Sequence, residues 1–596
     1  MARPKDLITV DFETEAIVGN PIMYPPKPVG VAVTSPDMTT NYFVGEEMEE
    51  MCRHIWTSGK PVLFHNAPFD LSVARTHFGL EFPAWDRIHD TMYLLYLKDP
   101  HARSLSLKPS AELYLDMPPM EQDDLRDWLV ENIPEATAKN FGAHISKAPV
   151  ELVAPYAKGD TIRTRMLFDQ LYDQTPHEPY NRECELMPLL VNATVRGVRV
   201  NRTALKATLT ACELAQELCE QRIRGRLGCA TLNPHSGAEL AKALDEAGAI
   251  TEWKLTPTGR KSTARANLMA GIDDPELLNL LVYTGAMQTA IGTFMRPWLE
   301  KSKEDGRLHP NWNQIRSTED RTKGTRTGRL SSDDPNFQNI PTPFNFPVPE
   351  GLCEMPLLRS FILPEEGHVW LKRDWSAQEM RILAHFEDGK LCEAYNEDPT
   401  LDAHNLVRDI VADLTGKTFD RKFIKETGFG MIYGMGAPGL AKKIGDGMTT
   451  AEARELQESY KLALPGVGEL QKGTKKRGRL GQPLTTWGGR EYYAENPRII
   501  GGSYRSFEYK LTNYLIQGSA ADQAKQCLID WWKGKPDSVV FMATVHDEIN
   551  ISAPIEEADK AMAWLKQCMN QDYFDVAMLS DALIGDSWGS IEEYSE

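Results

Sequence analysis

Two strand ends that carry carboxylates, drawn from distant parts of the chain, constrain its fold more than any other feature. In TVHDEINIS (544–552), the apolar run Val539–Val540–Phe541 leads to Asp547 and Glu548. Ile549 and Ile551 then alternate, which reads as a strand, a tight turn and a second strand. In HVWLKRDWSAQEMR (368–381), a strand-like run ends at Asp374, with Glu379 and Arg381 after it. Adjacent like charges at a turn raise each other's pKa unless a positive partner stands near. Two such strand ends meeting in one sheet can hold two divalent ions about 3.5–4 Å apart, which suits in-line phosphoryl transfer.

A chain of 596 residues exceeds a single core, so about two to four domains are expected. Hydrophobic content of 41% and charged content of 25% are those of a soluble globular protein. No apolar run approaches the roughly 20 residues that span a bilayer. The start, MARPKDLITVDFET, enters a strand pattern at once and leaves no room for a targeting peptide. Nine cysteines without a CxxC pair suit a reducing compartment. A cytoplasmic protein with no membrane partner is expected. The net charge of −19 argues against nucleic-acid binding only if the charge is evenly spread. Two basic clusters show that it is not: Arg316, Arg321, Lys323, Arg326 and Arg329, and then KGTKKRGR with Lys472, Lys475, Lys476, Arg477 and Arg479. Either could also be a plain solvated surface.

Residues 1–175 alternate strand-like and helix-like runs and predict an α/β unit. The Pro-rich polar stretch DQTPHEPYN, ending at Asn181, reads as a linker. Beyond it the chain is mainly helical, with strands in HVWLKRDW and in the closing hairpin. In ITVDFET, Asp11 and Glu13 share one face of a strand. FHNAPFD places Asp70 near a helix start, and YAKGD places Tyr156 and Asp160 four apart, on one face of a helix. A solvated carboxylate is the ordinary reading of each alone. Four carboxylates and a tyrosine within one α/β unit form a set able to hold two magnesium ions, which take oxygen ligands.

In DRKFIKETGFGMIYG, Arg421, Lys425, Phe429 and Tyr433 recur every four residues and form one slanted helical stripe. Two cations followed by two rings make a triphosphate-then-base platform, although an amphipathic helix with a basic edge would look the same. TRTGRLSSDDPNFQNIP (325–341) is irregular and concentrates Arg329, Asn336, Gln338 and Asn339, groups able to hydrogen-bond nucleic acid.

That last stretch resembles the TxTGRLSSxxPNLQNIP motif of the family A DNA polymerases, the bacterial DNA polymerase I type. DWSAQEMR resembles their motif A, RKFIKETGFGMIYG motif B, VHDE motif C, and NYLIQGSAAD the helix between the last two. The N-terminal carboxylates resemble the DEDD-type 3′–5′ exonuclease, an RNase H-like proofreading domain. The resemblance implies an α/β exonuclease domain over 1–175 and an α+β right-hand polymerase domain over 176–596. Within the latter the thumb would cover about 205–310, the palm about 315–386 and 491–596, and the fingers about 387–490. A phage-type member without a 5′-nuclease domain is implied.

The resemblance further implies that Asp374 and Asp547 ligate two Mg²⁺ ions (Mn²⁺ can substitute), with Glu548 beside them and His546 near the primer terminus. Arg421, Lys425 and His404 would hold the incoming dNTP, Phe429 and Tyr433 would flank it, and Glu379 would exclude a ribose 2′-OH. Arg329, Asn336, Gln338, Asn513 and Gln517 would contact primer–template DNA. Asp11, Glu13, Asp70 and Asp160 would hold the exonuclease's metal pair, and Tyr156 would orient the water. A monomer is expected, with a helicase–primase or a single-strand-binding protein as further partner classes. Motif A usually reads DYSQIELR, so Trp375, Ala377 and Gln378 depart from it. LVYTGAMQTAIGTF lacks the arginine and lysine many relatives carry, and the thumb is too short for a large processivity insert. The competing readings are a repair-type polymerase, a single-subunit RNA polymerase and a catalytically dead DNA-binding scaffold.

Overall fold

The computed structural model describes residues 3–17, 24–256, 258–318, 323–342, 344, 346–445 and 447–595. Arg321 of the first basic cluster lies outside them.

The β-branched run ITVDFET forms β1 (Ile8–Thr14) at the centre of a five-stranded sheet. Its order is β3 (Thr40–Phe43), β2 (Pro28–Thr34), β1, β4 (Val62–Phe64), β5 (Ile88–Asp90). The β1–β2 and β2–β3 pairs are antiparallel, whereas β1–β4 and β4–β5 are parallel. Helices α1 (Ala67–Phe78), α2 (Thr91–Lys98), α3 (Leu107–Leu115) and α4 (Val150–Leu171) accompany it. Val10, Phe12, Val62, Leu63, Leu167 and Phe168 are buried in one cluster between sheet and helices. Each such side chain contributes about 1.5–3 kcal/mol by leaving water.

The expected linker is not one. After α4 a 3₁₀ turn (Tyr172–Gln174) leads straight into α5 (His177–Arg196), whose first turn carries Pro179. Proline is tolerated there because the first amides of a helix have no intrahelical acceptor. Tyr172 and Tyr180 are buried with rings 5.8 Å apart, and the Tyr180 hydroxyl accepts from the Asp90 amide at 3.1 Å. Aromatic burial thus overrides the turn-like composition. Helix α5 serves two cores: Tyr180, Cys184, Met187 and Val191 pack with the N-terminal sheet, while Leu186, Leu189, Leu190 and Ala193 pack with the rest of the chain.

The second sheet is antiparallel throughout. Its order is β9 (Val540–Val545), β10 (Glu548–Pro554), β6 (His368–Trp375), β11 (Ser580–Ser587), β12 (Ser590–Glu593). The strand–turn–strand reading of TVHDEINIS and the strand HVWLKRDW both hold. Helix Ala558–Met569 packs on this sheet, while α6 (Gln378–Glu387), α7 (Ala403–Thr415), α8 (Arg421–Ile432), α9 (Pro465–Arg479) and α10 (Leu511–Gly534) pack on one another. A separate two-stranded hairpin, β7 (Arg498–Ile500) with β8 (Ser503–Arg505), precedes α10. Helices Arg202–Arg226 and Pro275–Thr289 pack on each other beyond α5.

A buried ionic network joins the two parts. Glu183 of α5 pairs with Arg490 and Lys525, and Arg490 also pairs with Asp522 of α10, all at 1% exposure or less. Gln314 donates to the Glu183 carboxylate at 2.8 Å and accepts from the Tyr93 hydroxyl of α2 at 2.8 Å. Burial would lift the Glu183 pKa, but the flanking Lys525 and Arg490 hold it below the usual glutamate range. No helix among the described residues is long and apolar enough to cross a membrane.

Candidate functional site

Strand pairing assembles the first acidic centre. The β6–β10 register sets Asp374 opposite Glu548, and the Trp375 amide donates to the Asp547 carbonyl at 3.1 Å. His546 takes the left-handed conformation (φ 58°) at the turn, a region that histidine enters more readily than most residues. Burial, then the charge of Asp547, pushes the Asp374 pKa up to about 7. Burial also raises Asp547, against the pull of Arg329 and His546. The protein supplies its own cation: the Lys372 ammonium pairs with Glu548 and stands 3.5 Å from Asp374. Arg359 lies 4.0 Å from Glu548. Sequence reasoning missed Lys372, although its spacing two before Asp374 on a strand puts both on one face.

Helix α8 presents the expected stripe. Asp420 caps it, Arg421, Lys425 and Phe429 lie along it, and Tyr433 ends it. Phe429 and Tyr433 stack at 6.1 Å, and the His404 ring lies 5.9 Å from Phe429. Burial lowers the His404 pKa to about 4, so it is neutral at physiological pH. Arg421 pairs with Asp402 at 2.6 Å, and Asp402 also caps α7. Glu379, in the first turn of α6, accepts from the Tyr433 hydroxyl at 3.1 Å and pairs with Arg329. One carboxylate therefore ties the end of α8 to the TRTGRLSS loop. Gln517 lies beside the same hydroxyl, four residues on from Asn513 along α10.

Other residues of the loop hold its shape. The Asn336 side chain accepts from the Gln338 and Asn339 amides, capping a 3₁₀ turn. The Gln338 side chain donates to the carbonyls of Leu330 (3.0 Å) and Thr544 (3.2 Å), pinning the loop to β9. Arg329, Gln338, Thr544 and His546 line one small cavity with Gln378. Two of the three departures in DWSAQEMR make structural contacts: the Trp375 indole donates to the Met569 carbonyl at 2.8 Å, and Gln378 donates to Gln523 at 2.9 Å.

The second acidic centre lies on β1 and α4. Carboxylate oxygens of Asp11, Glu13 and Asp160 fall within 4.8 Å of one another, and among the described residues this is the one acidic cluster that meets that spacing. Asp70 sits deeper, accepting from the Phe12 amide at 2.9 Å. Burial, then Asp160, pushes Asp11 up to about 7, and burial and Asp11 raise Glu13. Beside Arg163, 3.6 Å from Asp160, the closer cation is Lys108, 2.7 Å from Asp160 and 3.9 Å above the Tyr156 ring. Nothing in the sequence pattern marked it. Asp90 caps α2 and accepts from the Asn66, Ala67 and Met92 amides. Desolvated carboxylates that outnumber their cations, in an oxygen-only donor set, fit a hard divalent ion at this second centre.

Comparison with known proteins gives a consistent picture. The family described as DNA polymerase family A matches residues 202–590. The chain is 26% identical to "DNA polymerase DpoZ" of Salmonella phage PMBT28, over 91% of this chain and 90% of the phage protein. It is 28% identical to "DNA polymerase I" of Chloroflexus aurantiacus, over 97% of this chain but 61% of that protein. In structure it resembles the POL domain of Pol1 from M. smegmatis, solved in complex with DNA primer-template and dNTP. That likeness has a TM-score of 0.75 at 21% identity and covers 98% of this chain and 95% of the other.

Proposed function

The chain belongs to DNA polymerase family A, and from that premise we propose a template-directed DNA polymerase in which the Asp374–Asp547 centre extends a primer and the Asp11–Glu13 centre shortens it. The observation that carries the reading is the β6–β10 register, which brings Asp374, Asp547 and Glu548 together at one sheet end. The polymerase domain would span 176–596, with its palm on the second sheet, its fingers on α7 to α9 and its thumb on helices 202–226 and 275–289. The exonuclease domain would span 1–175.

Asp374 and Asp547 would hold two Mg²⁺ or Mn²⁺ ions, and Asp11, Glu13, Asp70 and Asp160 a second pair. Such ions, when bound, supply Lewis acidity that neutralises charge on the attacking and leaving oxygens. The remaining work falls to the chain's own groups. Arg421 would leave Asp402 for the triphosphate, with Lys425 and neutral His404 beside it. Phe429 and Tyr433 would flank the sugar and base. Glu379, held by Tyr433 and Arg329, would crowd out a ribose 2′-OH. Arg329, Asn513, Gln517 and the donors and acceptors that Asn336 and Gln338 do not use internally would contact primer–template. Tyr156 would orient the water for hydrolysis.

The phage relatives favour phage genome replication over repair. A helicase–primase and a single-strand-binding protein are the partner classes that role would bring. The test uses a 5′-labelled primer on a longer template with Mg²⁺, with and without dNTPs. Asp547→Ala should lose extension alone, and Asp11→Ala should lose shortening alone. Loss of both activities in either variant would refute two separate centres.

A further inference from the structure

The β7–β8 hairpin has no counterpart in the roles assigned above. It is a two-stranded sheet that no third strand among the described residues joins, and all six of its residues are exposed. An isolated two-stranded hairpin is marginal in water. Its turn, Gly501–Gly502 with φ of +57° and +78°, is the tight type that glycine permits.

The register divides the side chains cleanly. Ile499 faces Tyr504 across the strands, at 74% and 72% exposure, which makes an apolar, aromatic face open to solvent. Arg498 faces Arg505 on the other side, with Ile500 beside them. Like charges directly opposite in a hairpin destabilise it unless an anion lies between them. Glu495, in the stem, takes Arg498 at 3.2 Å but is already shared with Lys510 and Arg326.

The stem fixes where the hairpin stands. His101 of the N-terminal unit donates to the Tyr493 carbonyl at 3.1 Å. Phe507 is buried, with Arg498 at 5.0 Å and Lys510 at 4.5 Å over its ring. Tyr509 packs against Gly434, directly after the Phe429–Tyr433 platform: a Cβ on Gly434 would fall 2.6 Å from the Tyr509 ring. The last turn of α9, with exposed Lys476, Arg477 and Arg479, packs on Glu508 through Gly478. Cations for phosphate and an exposed ring for a base therefore flank the mouth of the nucleotide platform.

We infer that the β7–β8 hairpin and the basic end of α9 bind the single-stranded template ahead of the primer terminus, Tyr504 and Ile499 stacking on a base while Arg498 and Arg505 take its phosphates. Positive grooves with interleaved aromatics bind single strands in this way, stacking for affinity and cations for the backbone. The inference rests on the polymerase reading and adds a contact outside both acidic centres.

The test places 5-iodo-deoxyuridine at successive template positions of a primer–template, with the full-length protein. Irradiation and peptide mapping should locate a cross-link at Tyr504 from the unpaired template, lost in the Ile499→Ser/Tyr504→Ser variant. That variant should bind the single-stranded template about tenfold more weakly. Arg505→Ala should flatten the dependence of log affinity on log salt by about 0.7. Both alter only exposed side chains, so primer extension on an open, saturating template should persist. No cross-link in the hairpin from any template position, or one arising only from template positions within the duplex, overturns the inference while extension continues. Failure of the wild type to extend an open template would instead overturn the polymerase reading.

Discussion

Replacing Arg490 with methionine should cost the protein several kcal/mol, and the reason lies in what the guanidinium leaves behind. Its Nε pairs with Asp522 and its Nη2 with Glu183, at about 1% exposure for all three. Methionine fills most of the volume but strands two buried carboxylates. Asp522 retains Arg182 at 3.6 Å and the Thr486 hydroxyl at 2.5 Å, and Glu183 retains Lys525 and Gln314. Removing one partner of a buried pair costs about 3–5 kcal/mol, against about 0–1 kcal/mol for an exposed one. Urea unfolding followed by tryptophan fluorescence measures the difference. The pH dependence has a definite sign. Glu183 is held below its ordinary value in the fold, so its contribution is present above the unfolded pKa and fades as pH falls through the folded one. The variant has less of this term to lose, so its deficit should narrow on acidification below the usual glutamate range. In the Glu183→Gln/Arg490→Met double variant the loss should be smaller than the sum of the two single losses. A loss under about 1 kcal/mol, or strict additivity, would refute the claim that this network behaves as a buried unit.

Three further outcomes follow from the acidic centres and the platform. Phe429→Tyr should relax discrimination against dideoxynucleotides, because a hydroxyl there can stand in for the missing 3′-OH; equal incorporation ratios for the two proteins would refute it. Glu379→Ala removes the carboxylate that Tyr433 and Arg329 hold; it should raise rNTP incorporation relative to dNTP about tenfold or more, as read from single-nucleotide extension, since a lost steric block of about 1.4 kcal/mol is already that factor. Asp11 titrates at about 7 and Glu13 is raised too, so ionising them opposes folding above that pH and the opposition fades as pH falls. Mg²⁺ should therefore raise the melting temperature more at pH 8 than at pH 6, EDTA should reverse this, and Asp11→Ala should diminish it; a pH-independent shift would count against a metal at this centre.

The sequence exposed what local spacing can encode. Asp11 and Glu13 two apart on a strand, Tyr156 and Asp160 four apart on a helix, and the Arg421-to-Tyr433 stripe all recur as read. Partners that come from other elements were not legible. Lys108 reaches Asp160 across 52 positions, and Arg490 reaches Glu183 across 307, separations on which periodicity is silent. Internal duties of the polar loop residues were not legible either: Asn336 caps a turn and Gln338 pins a loop, which occupies some of their donors and acceptors. The linker failed for the opposite reason, since Tyr172 and Tyr180 carry enough apolar surface to override their turn-forming neighbours.

Helix α5 bears on how this protein can be cut. A fragment beginning at residue 176 would drop the proposed exonuclease domain, yet it would bare Tyr180, Cys184, Met187 and Val191 as one greasy stripe on its first helix. At about 1.5–3 kcal/mol per large side chain, that stripe is a strong incentive for two fragments to stick together. Disabling the Asp11–Glu13 centre by point substitution, or cutting only after the stripe has been recoded with polar residues, respects the way the chain is sewn.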